Sequence, residues 1–163
     1  MLRRSVQLFA GSLCLLGLTA CSFQLRDNYQ LPQTVQQMRI ESVNSQELED
    51  SLQQRLLTAG IQLTGTDEDA ARLRVLSDKL ERRTLSLFES GQVAEYELLY
   101  RVNYQITRRG TLVYQDTVEV ARDYQDDPNF ALAKTREREM LLAEMRDDAA
   151  RRMVRQIISE FSN

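Results

Sequence analysis

The chain has 163 residues, 42% hydrophobic and 28% charged, which suits one domain with its own core and excludes a disordered acidic tail or a multi-span membrane protein. It contains no histidine, which removes the commonest general base, the Ser/His/Asp and Cys/His triads, and any histidine-ligated zinc or haem. A formal net charge of −3 argues against the broad basic surface that nucleic-acid binding needs, so no nucleic-acid partner is expected.

The N-terminus reads as an address. Arg3 and Arg4 precede an apolar run from Val6 to Leu18, too short for an ordinary spanning helix, and Leu18-Thr19-Ala20-Cys21 then has the order and residue sizes of a bacterial lipobox. Residues 1–20 are therefore expected to be a removed lipoprotein signal peptide, and residues 21–163 a single α+β domain anchored through lipidated Cys21. Cleavage before Cys21 also removes Cys14, so no disulfide is available within the mature chain. It lowers the basic count from 21 to 19 against 24 acidic residues, a formal charge of −5. Two or more acyl chains suffice for stable anchoring where one does not. Ser22 stands where an aspartate would signal inner-membrane retention, which favours the periplasmic leaflet of the outer membrane.

Along the mature chain, Phe23 to Leu25 form a lead-in, and Met38 to Val43 a first strand after the Leu31-Pro32 break. Asn44 with Glu47 resembles a capping box, and Leu48, Leu52 and Leu56 predict a helix that Gly60 closes. Ile61 and Leu63 lead to the acidic stretch Asp67, Glu68 and Asp69, which reads as a solvated turn rather than a metal site. Leu73 and Val75 begin a strand whose apolar phase changes at Leu76 and Leu80 and changes back at Leu85 and Leu87, as a bulged strand would. After Ser90-Gly91-Gln92 the alternation is clearest from Glu95 to Ile106, with Tyr96, Leu98, Tyr100, Val102, Tyr104 and Ile106 on one face. The tyrosines in that row read as core rather than as a ligand platform. A tight turn at Arg108, Arg109 and Gly110 leads to a partner strand over Leu112 to Tyr124, with Leu112, Tyr114, Val118 and Val120 expected inward. Asp127 as N-cap and Pro128 open a long C-terminal helix with an apolar stripe through Leu141, Met145, Ala149, Met153, Ile157 and Phe161. These elements predict a two-layer α+β sandwich: two amphipathic helices on one face of a mostly antiparallel four-stranded sheet, with the polar face free.

Several stretches, taken in order, resemble one family. They are Cys21 with Phe23, Leu25 and Arg26, then Leu31-Pro32, Ser90-Gly91-Gln92 running into Ala94-Glu95-Tyr96-Glu97, and Pro128 with Ala131-Leu132-Ala133-Lys134. Glu137, Glu139, Met140, Glu144-Met145 and Ala149-Ala150 complete the pattern. The chain is thereby similar to the LPS-assembly lipoprotein LptE family of Gram-negative outer membranes, with little likeness between Asp67 and Arg83. The resemblance implies a non-enzymatic plug and 1:1 assembly partner of the LptD β-barrel that contacts LPS during its delivery to the outer leaflet, with no cofactor.

LPS carries phosphorylated sugars and acyl chains, so its contact site needs localised cations near apolar surface. The LPS-binding candidates are Lys134, in the matching Ala-Leu-Ala-Lys stretch, and Arg82 and Arg83; Arg101, Arg108, Arg109 and Arg122 are further cations on strands and turns. Glu89 stands where the family can carry a basic residue. Barrel-interface candidates are Phe88, Ser90, Gly91 and Gln92 at the loop tip, and Asn103 and Gln105 on the polar sheet face. The alternatives are an outer-membrane lipoprotein that regulates a cell-wall synthase or completes another lipid-transport complex, and a hydrolase using Glu95 with Glu97, for which no cleft or raised pKa is legible.

Overall fold

The computed structural model describes residues 31–42, 45–65 and 67–162, so the lipobox cysteine Cys21, the signal segment, the lead-in at Phe23 to Leu25, and Asn44 lie outside the described residues. The elements run β1 (Gln37–Ser42), α1 (Gln46–Thr58), β2 (Gln62–Leu63), β3 (Ala71–Leu87), β4 (Val93–Arg108), β5 (Thr111–Gln125), a 3-10 turn (Pro128–Phe130) and α2 (Ala131–Phe161). The sheet has five strands rather than four, in the order β2-β1-β3-β4-β5. The extra strand is β2, two residues long and too short to show any periodicity in sequence. It lies parallel to β1, which α1 makes feasible as the crossover, while β3, β4 and β5 form an antiparallel meander.

Helix α1 begins at Ser45, whose hydroxyl accepts from the Leu48 N–H at 3.3 Å, one residue along from the Asn44 cap that the sequence suggests. It buries Leu48, Leu52 and Leu56 and ends in a Schellman motif: the Gly60 N–H donates to Leu57 O and the Ile61 N–H to Leu56 O. Gly60 sits at φ +83, where a side chain is strained, and Ile61 is buried against the core. Asp127 caps the Pro128–Phe130 turn by accepting from the Asn129 N–H, and that turn runs into α2. Helix α2 buries Met145, Ala149, Ala150, Met153, Val154 and Ile157, and the ion pair Arg55–Asp147 joins it to α1.

On the sheet, Leu98, Tyr100, Val102, Tyr104 and Ile106 of β4 are buried together with Leu73, Val75, Val118 and Val120. The two buried tyrosines satisfy their hydroxyls, Tyr100 on Asp78 and Tyr104 on Gln156, each at 3.0 Å, and burial pushes both phenols above their ordinary pKa. Register shifts set the pleat, including two near the β3–β4 tip, between Thr84 and Ser86 and between Ser86 and Leu87. At Leu76 the register with β4 shifts, so that the helix-facing side of β3 passes from Leu73 and Val75 to Asp78, Leu80, Arg82 and Thr84, opposite Val102, Tyr100, Leu98 and Tyr96. At Val113 the β4–β5 register shifts as well, placing Leu112 opposite Thr107 on the outer face, 52% exposed, against the inward position expected from its spacing. The β4–β5 turn has positive φ at both Arg109 and Gly110, the geometry of a two-residue hairpin turn whose twist matches the strands.

Candidate functional site

The helices do not cover the whole of their side of the sheet. Leu73 and Val75 are buried, but Leu80, Arg82 and Thr84, on the same side of β3 beyond the bulge, are exposed. The far end of the meander, where the β3–β4 turn meets the start of α2, is thus open on both faces.

That turn is built by local rules. The Gly91 N–H donates to Phe88 O and the Phe88 N–H to Gln92 O, closing a three-residue loop of Glu89, Ser90 and Gly91 with Gly91 at φ +81. The loop puts Ser90, Gly91 and Gln92 at the tip, and leaves Phe88, Leu87 and Leu85 exposed behind it. Phe130 and Leu132 at the start of the adjoining helical segment are exposed too, as is Met140 further along α2.

The basic candidates divide between the two faces. Arg82 lies opposite Leu98 on the helix side with its guanidinium 5.2 Å from the Tyr96 ring centroid; Arg83 lies opposite Glu97 on the outer face and pairs with it. Lys134 stands 5.5 Å from the Tyr124 ring centroid and donates to Glu137 at 2.9 Å. Tyr96 and Tyr124 are themselves cross-strand partners, so Arg82 and Lys134 each occupy one ring of an adjacent pair. The Tyr124 hydroxyl donates to Lys134 O at 2.8 Å, which fixes the first turn of α2 on the sheet. The hydrogen bond to Glu137 raises the Lys134 pKa, keeping it a cation. The sequence reading treats the tyrosine row as core; Tyr100 and Tyr104 are fully buried there, and half-buried Tyr96 packs against it. Its pairing with Tyr124 depends on the bulge at Val113, because the turn at Arg109-Gly110 alone would set Asp123 opposite Tyr96.

A hollow of about 400 Å³ beside this pair is lined by Ser86, Phe88, Ala94, Gln125 and Lys134 with the carboxylates of Glu95, Asp126 and Asp127. It brings Phe88 and Lys134 together, but its acidic wall opposes an anion; the cationic surface is the Arg82–Tyr96–Tyr124–Lys134 row. Glu95 accepts from Ser86 and Gln125, which hold its carboxyl below the usual range, and Glu97 is taken up by Arg83.

The other cations are engaged structurally. Arg101 binds Glu119, Arg109 binds Asp69, Arg108 donates to Asp69 O, and Arg122 binds Asp148. On the outer face Asn103 donates to Ser77 and accepts from Thr117, both at 2.7 Å, so both ends of its amide are used, while Gln105, opposite Arg74 and Gln115, remains available. Arg72 and Arg74 share Glu41 on the same face, which carries a ladder of cross-strand polar pairs with Lys79 set opposite Arg101. Among the described residues no cluster of metal-ligating side chains occurs.

A sequence model of the family described as "LptE: Lipopolysaccharide-assembly" matches residues 35–157. The chain is 32% identical over 160 residues to the LPS-assembly lipoprotein LptE of Yersinia enterocolitica, covering 96% of this chain and 77% of that one. To the LPS-assembly lipoprotein LptE of Pectobacterium atrosepticum it is 31% identical, over 90% and 82% of the two chains. In structure it is similar to rare lipoprotein B from Shewanella oneidensis, at TM-score 0.68 and 39% identity over 76% of this chain and 95% of that one. A minor lipoprotein from Acinetobacter baumannii matches at TM-score 0.68 and 30% identity, over 79% and 95%.

Proposed function

The chain belongs to the LptE family of lipopolysaccharide-assembly proteins, and from that premise we propose that it is a lipoprotein of the outer membrane, anchored through Cys21, that plugs and helps assemble the LptD β-barrel and binds LPS on its way to the outer leaflet. The observation that carries the LPS contact is the row Arg82–Tyr96–Tyr124–Lys134, two cations held on two neighbouring rings, beside the exposed Leu80, Leu85, Leu87 and Phe88. A phosphorylated, acylated saccharide offers both chemistries that such an end can use: phosphate for the cations, acyl chain for the apolar side chains. Arg83 contributes less, because it faces the other way.

The outer face supports the barrel role. The lumen of a large barrel is polar, and a face on which Arg72, Arg74, Arg83 and Arg101 already meet glutamates of this chain suits such a lining. The test is photo-crosslinking in cells from Gln105, Asn103 and Phe88. Capture of a β-barrel far larger than this chain is expected, most strongly from Gln105; capture of peptidoglycan synthases or soluble periplasmic proteins alone would replace the reading with that of a cell-wall regulator.

A further inference from the structure

Strand β5 is fifteen residues long and pairs on one side only. Such an edge presents alternate N–H and C=O groups as a template for another strand. The ladder continues to the Asp126 N–H, which donates to Ala94 O, so even-numbered residues after Val113 face β4 and Thr117, Glu119 and Ala121 turn their main chain outward.

Each of these three outward positions meets a side chain. Asp116 accepts from the Thr117 N–H at 2.7 Å, Arg152 donates to Glu119 O at 3.0 Å, and Arg122 donates to Ala121 O at 2.8 Å. Both arginines are held from behind by one carboxylate: Asp148 accepts from Arg152 at 3.0 Å and Arg122 at 3.2 Å, with Arg151 on its other oxygen. Asp148 is only 5% exposed, the one charged side chain buried among the described residues, and it sits within the apolar stripe of α2 between Met145 and Ala149. A buried carboxylate adds little net stability over an apolar replacement, so its arrangement calls for another account.

We propose that Asp148, through Arg122 and Arg152, closes the edge of β5 against strand addition by a second copy of this chain. A second copy fits because the edge is complementary to itself. In a two-fold antiparallel pairing centred on Glu119, Asp116 of each protomer faces Arg122 of its partner, and Glu119 meets its counterpart already neutralised by Arg101. The residues that cap the edge in the monomer are those that would pair across it in a dimer.

The experiment is sedimentation equilibrium of the full chain in density-matched detergent, with amide exchange on the same samples. The wild type is expected to be monomeric, with rapid exchange at Glu119 and Ala121. Arg152→Gln, which uncaps Glu119 O and leaves Arg122 to meet Asp116 of a second copy, should dimerise at least tenfold more tightly and slow those amides. Adding Glu119→Pro should return it to monomer, because that N–H points outward and its loss costs no bond to β4. Asp148→Asn should behave as Arg152→Gln; if it fails to fold, the arginine substitution at the surface decides. An Arg152→Gln variant that stays monomeric with unchanged exchange overturns the proposal, as does a dimer that survives Glu119→Pro.

Discussion

Tyr96 lies opposite Tyr124 across the β4–β5 ladder, and a cation stands over each ring, Arg82 on the first and Lys134 on the second. The pair keeps two positive charges at one end of a domain whose overall charge is negative. It also separates their role from folding, since neither cation is part of the core.

Charge reversal there should therefore act on ligand and not on fold. Arg82→Asp with Lys134→Asp is expected to weaken LPS binding tenfold or more, while the thermal midpoint moves by only a few degrees. Arg83→Asp should weaken it less, since that residue faces Glu97 on the opposite side. Titration with labelled LPS alongside a thermal melt checks both; unchanged binding in the double variant would place the LPS contact elsewhere.

The register at the β4–β5 hairpin makes a second contrast. Leu112→Lys should cost less than about 0.5 kcal/mol, because the bulge at Val113 turns Leu112 outward, whereas Val120→Lys should prevent folding by burying an unpaired ammonium. Urea denaturation distinguishes this from the inward placement that simple alternation gives.

How much of this the residues announced depended on the length and regularity of each pattern. The strand through Tyr96 to Ile106 alternates without interruption and was legible in full, as was the stripe of α2 apart from Asp148. The phase change in β3 was legible as a bulge, because Leu73, Val75 and Leu80 cannot share a face without one. Leu112 was misplaced because its bulge follows a turn and leaves no second apolar residue to register the slip. Strand β2 spans two residues and is defined by its parallel neighbour rather than by its own sequence. Asp148 reads locally as a surface aspartate; the signal that could have found it is Arg151 and Arg152 at spacings three and four, directed at one position of an otherwise apolar stripe.

Asp148 also sets an acid response. Burial alone would raise its pKa, but hydrogen bonds from Arg151 and Arg152 outweigh that and bring the carboxyl down to about 2. With a folded pKa below the unfolded one, its stabilisation is full above about pH 4 and is lost as pH falls toward 2. The partners are half-exposed, so the loss is on the order of 1–2 kcal/mol. Urea midpoints measured from pH 5 to 2 should fall more steeply for the wild type than for Asp148→Asn; parallel curves would contradict the assignment.

Processing at the N-terminus is checked by intact mass. The mature protein is expected to begin at Cys21 with an added acylglyceryl group, and Cys21→Ala should accumulate as precursor. An unmodified thiol on a mature chain would remove the anchor.

The bulge at Leu76 divides β3 into a part clamped under helices and a part that is paired only within the sheet. From Leu80 outward the β3–β4 hairpin can therefore change length without disturbing the interior, provided residues come and go in twos on each side of the Glu89–Gly91 loop. Each such step moves the tip by about 6.6 Å and restores every side chain to its face, whereas a step of one would invert the whole arm. The arm is in this sense a ruler graduated in pairs of residues, and its length fixes how far from the helical layer Phe88 is held.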